Sequence, residues 1–324
     1  MAWSGLRFLT PFALLMIPAV EAAPPAAPQS VTIAFNPPLD QLIRYRVTKT
    51  RTHQQDGKPQ TSNIASWTEE IRFKRRGTYD YLMTWRFDVS SLSAELRSPM
   101  MLASLAPWGN LPLDVDVDEL GTFERIADWE GAQNRMRASL SALEGEALKG
   151  VAGPEQPQMK AMFASVGDLF LKMDGNSAPR MILKTLNTIH GWGGTPFEMG
   201  KPSEATTLLP IPLGGAPIVT TVKTQLTALD PGKSATVSVE GVADPASLKT
   251  FTLALMEQLM KSLPPEKREE GRKAFADMSM ELTDRSTMTF DLPTGQVTAY
   301  TNERIMGIPG QGRGSEVLKI EMVR

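Results

Sequence analysis

Tyr79-Asp80-Tyr81-Leu82-Met83-Thr84-Trp85-Arg86-Phe87-Asp88-Val89 decides the fold class. Every odd-numbered position is aromatic or apolar, and every even one except Leu82 is polar. A two-residue period puts one row on each face of a strand, so this segment reads as an antiparallel strand with one face in a core and the other in water.

The same period continues on both sides. Upstream, Ile43, Tyr45 and Val47 alternate with Arg44, Arg46 and Thr48, and Asp56-Gly57 supplies a turn pair before the next strand. That strand, Trp67–Phe73, places Trp67, Ile71 and Phe73 on one face, with Glu69 spoiling the row. Downstream, Leu113-Asp114-Val115-Asp116-Val117-Asp118 alternates, and Gly121 turns the chain into Phe123–Ile126.

A helical middle follows. Trp129, Met136, Leu140, Leu143 and Leu148 form an apolar stripe behind an Asp128 N-cap. Gly153-Pro154 separates this helix from a second carrying Met159, Met162, Phe163, Val166, Phe170 and Met173. A third runs from Ser177 and Pro179 to the stop at His190-Gly191-Trp192-Gly193-Gly194.

Strands return over Ile218–Leu229 and Ala235–Val242, around a Pro231-Gly232 turn suited to type II geometry. Asp244-Pro245 opens a helix with the stripe Leu248, Phe251, Leu255 and Leu259, and a short charged helix is expected from Glu266. Met280–Asp291, Gln296–Ile305 and a last strand with Leu318, Ile320 and Met322 complete the chain. Roughly ten strands, mostly sequential antiparallel neighbours with helices between them, imply an α+β fold: a large curved antiparallel β-sheet with helices packed on one face.

Met1–Ala22 reads as a secretory signal peptide, with Arg7, an apolar run Phe8–Val20 and small residues at Val20 and Ala22 before the expected cleavage. The run is about a dozen residues, too short for an ordinary membrane span, and no later stretch is long and apolar enough for one. Residues 23–38, with five prolines, read as an extended spacer, and 39–324 as the folded α+β domain. Two lobes, 39–200 and 201–324, are the alternative. The expected address is the bacterial periplasm or secretion.

The chain has no cysteine, hence no disulfide, thiolate metal site or lipid-anchoring cysteine. Its two histidines, His53 and His190, are too far apart in sequence to suggest a metal motif. A net charge of −2 and no long basic tract give no reason to expect nucleic acid. Asp114, Asp116 and Asp118 resemble the start of a calcium loop, but Glu119 and Arg125 occupy the positions where glycine and the bidentate glutamate belong. A strand with carboxylates in solvent is the better reading. Neither a nucleophile elbow nor a zinc-protease helix is present, and no cofactor or metal is expected.

What remains is apolar. Trp67, Phe73, Trp85 and Phe87 share a strand-face pattern, Met159, Met162 and Phe163 lie on a helix, and Trp192 sits in the glycine-rich stop. Packed core is the default for such residues, an adaptable ligand surface the functional alternative, and a thioether copper site a third reading. They are the candidate ligand-binding residues.

The turns Asp118-Glu119-Leu120-Gly121-Thr122-Phe123 and Asp291-Leu292-Pro293-Thr294-Gly295 resemble those of exported proteobacterial proteins of unknown function, and imply no activity. In architecture the expected fold looks like periplasmic lipoprotein carriers, in which a curved antiparallel sheet wraps helices around an apolar cavity. That resemblance implies non-catalytic binding or carriage of a lipid or other apolar small molecule. An envelope protein–protein interaction module with a packed core is the alternative, and a hydrolase using carboxylates or Ser/His190 the third.

Overall fold

The computed structural model describes residues 29–323 except 56–57, 78–79, 109–110, 150, 152, 154, 172, 210–216, 261–280 and 309–311. The expected signal peptide, Tyr79 and the charged helix from Glu266 lie outside the described residues.

The N-terminal half of the sheet is a meander: β1 (Ser30–Thr32) stands apart, then β2 (Ile43–Gln55), β3 (Thr61–Arg75), β4 (Tyr81–Asp88), β5 (Leu113–Val117) and β6 (Phe123–Ile126) follow in order. Helix α1 (Pro99–Leu105) sits in the β4–β5 connection. Helices α2 (Trp129–Ala147), α3 (Glu155–Leu171), α4 (Ala178–Ile182) and α5 (Lys184–Ile189) form the middle. Short β7 (Pro196–Glu198) pairs with β1. The second meander comprises β8 (Ser203–Leu209), β9 (Ile218–Asp230), β10 (Ser234–Ala243), β11 (Glu281–Asp291), β12 (Gln296–Ile308) and β13 (Gly312–Val323), with α6 (Pro245–Met260) before β11.

The 11-stranded sheet has the order β6-β5-β4-β3-β2-β13-β12-β11-β10-β9-β8, antiparallel throughout. The two meanders therefore join where the last strand pairs with β2, and Ile320 lies opposite Val47. The chain leaves one edge at β6 and must re-enter at the other edge, β8. Helices α2–α5 lie on that path across one face, which buries the sheet's apolar row beneath them. The core of that row includes Tyr45, Val47, Ile71, Met83, Met288, Tyr300 and Ile320, all at most 5% exposed.

Local signals explain the boundaries. Asp128 accepts from the Gly131 amide at 2.9 Å and starts α2. Asp244 accepts from the Ser247 amide at 2.7 Å and starts α6. Gly232 has φ +73 in the β9–β10 turn, where the Lys233 amide donates to the Asp230 carbonyl.

Three features depart from the sequence expectations. Ordered packing begins before Leu39: Val31, Ile33 and Phe35 point inward, Ile33 is fully buried, and Phe35 stacks edge-on to Phe73 and Tyr81. This segment runs so close to Gly295 (φ +68) that a Cβ there would collide with the Ala34 carbonyl. The third helix divides at Leu183, whose backbone (φ −97, ψ 34) leaves the helical region. The carboxylates of β5 are not all solvated: Asp116 is 6% exposed and paired with Arg76 and Arg125, and Asp114 accepts from the Thr84 hydroxyl at 2.7 Å. Basic neighbours on β6 and after β3 make that burial tolerable.

Candidate functional site

Between β3, β4 and the helices lies a cavity of about 480 Å³. Its sheet wall follows from strand register. Glu69 lies opposite Phe87 and Ile71 opposite Trp85, so Trp67, Glu69, Trp85 and Phe87 emerge on one face. Trp85 and Phe87 are tilted rings with centroids 6.3 Å apart. Leu105 and Trp108 close the cavity from α1 and its exit, while α2 contributes Met136, Ser139, Leu140 and Leu143. Ile182 and Thr185 complete the lining from α4 and α5. The volume and largely apolar walls match small-molecule sites.

Glu69 is the group that the alternation pattern treats as a fault. It points inward, is 4% exposed, and accepts from the Trp67 indole N–H at 2.9 Å and the Trp85 indole N–H at 3.0 Å. Thr185 donates a third hydrogen bond. Burial pushes its pKa above the ordinary carboxylate value, against these three donors. Among the described residues no ion pair reaches it. Ser139 is buried on the helix wall, and its Oγ has no hydrogen-bond partner among the described residues. The cavity is thus largely apolar, with Glu69, Ser139 and Thr185 as its polar lining residues.

The adjacent carboxylate behaves oppositely. Glu70 faces the other side of the sheet; burial acts to raise its pKa, but Arg86 and Arg44 more than offset this and hold it below the usual range.

The sequence candidates divide. Trp67, Trp85 and Phe87 meet at the cavity. Phe73 is fully buried elsewhere on the face, against Phe35, Tyr81 and His190. Trp192 packs on Phe197 and Phe290 in the main core. Met159 and Phe163 are half-buried on α3 and do not line the cavity, and the Met162 side chain lies outside the described residues. Trp108, Ser139, Ile182 and Thr185 were not legible as site residues, because only tertiary packing brings them to the strand face.

A second recess of about 490 Å³ lies at the far ends of β2, β3, β12 and β13, among Arg51, His53, Asn63, Met306 and Glu316. Most of those side chains are exposed, so it is a surface groove. Among the described residues no group of three or more His, Asp or Glu is placed to hold a metal ion, and no helix is long and apolar enough to cross a membrane.

No family model and no curated protein matches the chain. A similar solved structure, titled "Lipid-protein interactions in lipovitellin", is 10% identical with a TM-score of 0.37. The match covers 87% of this chain and 25% of that one, so the chain spans a quarter of that protein's length. A superposition at that score does not establish a shared fold.

Proposed function

We propose that the protein binds and carries an apolar small molecule in the β3–β4 cavity, without catalysis, in the bacterial periplasm. The observation that carries this reading is the cavity itself, whose aromatic and aliphatic walls surround only a few polar groups. The signal-like Met1–Ala22 segment supports export, and the cavity favours a ligand site over a wholly packed interaction module.

Three of the six tryptophans line the cavity, so ligand entry has a built-in fluorescence reporter. The wild-type protein is expected to bind the neutral dye Nile red and to transfer excitation from Trp67, Trp85 and Trp108. Leu140→Trp should fill part of the cavity and weaken dye binding by about tenfold, with the fold retained by circular dichroism. Native mass spectrometry of protein purified from a periplasm should show an extractable apolar adduct. A wild-type protein that carries no adduct and takes up no dye would refute carriage.

A further inference from the structure

The cavity's polar points do not match a purely hydrocarbon ligand. A simple oil-binding site needs no carboxyl, and burying one costs free energy unless it is hydrogen-bonded and, when ionised, paired. Here both Glu69 oxygens are fixed by indole N–H groups, so the carboxyl is held rather than free to turn toward water. None of the described lining residues is Lys or Arg. Trp67, Trp85 and Phe87 share the sheet wall with Glu69 and Trp108 lines the cavity from the exit of α1, and aromatic rings attract cations at their faces.

We infer that the cavity recognises an apolar ligand headed by an ammonium group, with Glu69 as its counter-charge, the four aromatic side chains as its cage and the aliphatic helix wall receiving its tail. This rests on the binding function proposed above. A carboxylate beside aromatic side chains supplies charge pairing and cation–π attraction together, and Glu69 itself is shielded from water. Burial raises the proton affinity of Glu69, and a bound cation acts in the opposite direction by favouring the ionised form. Without a cation among the described lining residues, a ligand that adds a phosphate or carboxylate is disfavoured.

Competition against Nile red with four probes sharing one tail tests this: decyltrimethylammonium, decanol, decanoate and decylphosphocholine. In the wild-type protein decyltrimethylammonium should bind about tenfold more tightly than decanol, the scale of one desolvated cation–π or charge-assisted contact. Decanoate should be weakest. Glu69→Gln should erase the preference for the cation over decanol, read as the ratio of the two affinities, because its amide nitrogen cannot accept from the second indole and decanol binding itself can shift. Phe87→Leu, which leaves the indole clamp on Glu69 intact, should reduce the preference by a smaller factor. If Glu69→Gln does not fold, the wild-type probe order and Phe87→Leu still decide.

Equal binding of the cation, alcohol and anion would overturn the ammonium assignment and leave apolar binding standing, as would a preference for decanoate. Displacement by none of the probes, with no dye uptake, would overturn both. Decylphosphocholine binding as tightly as the simple cation would support ammonium recognition and identify a zwitterionic lipid headgroup as its source. Weaker binding would support a free cationic amphiphile.

Discussion

At the scale of single residues, two buried titratable groups are held in contrasting ways. Glu69 has three donors and a cavity beside it, whereas His190 has rings: Phe123, Phe73 and Phe35 lie with centroids 5.2, 5.9 and 6.1 Å from its imidazole. Its Nε2 has no hydrogen-bond partner among the described residues, and burial lowers its pKa to about 3. The unfolded chain therefore binds a proton between about pH 6.5 and 3 that the folded chain refuses. Stability from the neutral imidazole is present above 6.5 and lost as pH falls toward 3, with a slope of up to about 1.4 kcal/mol per pH unit. Glu70 and Glu316 also lose stabilising charge on acidification, but their depressed pKa values place that loss below the ordinary carboxylate range. Glu69, whose raised pKa acts in the opposite direction, is common to both proteins, so urea unfolding between pH 7 and 5 should show the wild type losing stability relative to His190→Phe. A variant with the wild-type slope would mean that the imidazole is not buried neutral.

At the scale of elements, alternation made the strands legible because one face is buried and a one-residue slip would reverse it. It did not reveal what fixes register on the open face. There, Glu204 lies opposite Lys223, Lys223 opposite Glu240, Glu240 opposite Arg285, and Arg285 opposite Glu303. Five adjacent strands thus carry charges of alternating sign in one rung. A second rung on the other face runs Asp284, Arg304, Glu316 and Arg51. These residues are dispersed through 266 positions of sequence, from Arg51 to Glu316, so no local window contains either rung. Cross-strand opposite charges contribute roughly 0.2–1 kcal/mol per pair, and like charges directly opposite destabilise. Glu240→Lys replaces two favourable neighbours with two unfavourable ones and should destabilise by about 1 kcal/mol. Thermal melts should show that this loss shrinks between low and high salt, since the rung is exposed. A loss independent of salt would assign the effect to packing.

At the scale of the whole molecule, the β2–β13 junction makes two meanders into one sheet. The sequence reading of an α+β fold with a large antiparallel sheet agrees with this, and Trp67, Trp85 and Phe87 were identifiable from their strand face. The rest of the cavity was not, because Trp108, Ser139 and Thr185 depend on how the helical segment crosses from one edge to the other. Glu69 was visible but appeared as a pattern error; a polar residue flanked by Trp67 and faced by Trp85 becomes intelligible only once two indole donors converge on it.

The same junction predicts how the molecule comes apart. Ile320 is 1% exposed and sits between Tyr300 on β12 and Val47 on β2, so it bridges the halves in the buried row. Ile320→Ala should cost about 2–5 kcal/mol, the range for truncating a large aliphatic side chain in a packed core. Because neither meander buries its inner edge strand without the other, that loss should lower hydrogen-exchange protection in β3–β4 and in β10–β12 by the same free energy. Exchange measured by mass spectrometry on peptides from both regions decides it. Protection that fell on one side of the junction alone would mean that the halves unfold as independent lobes, despite sharing a continuous hydrogen-bonded sheet.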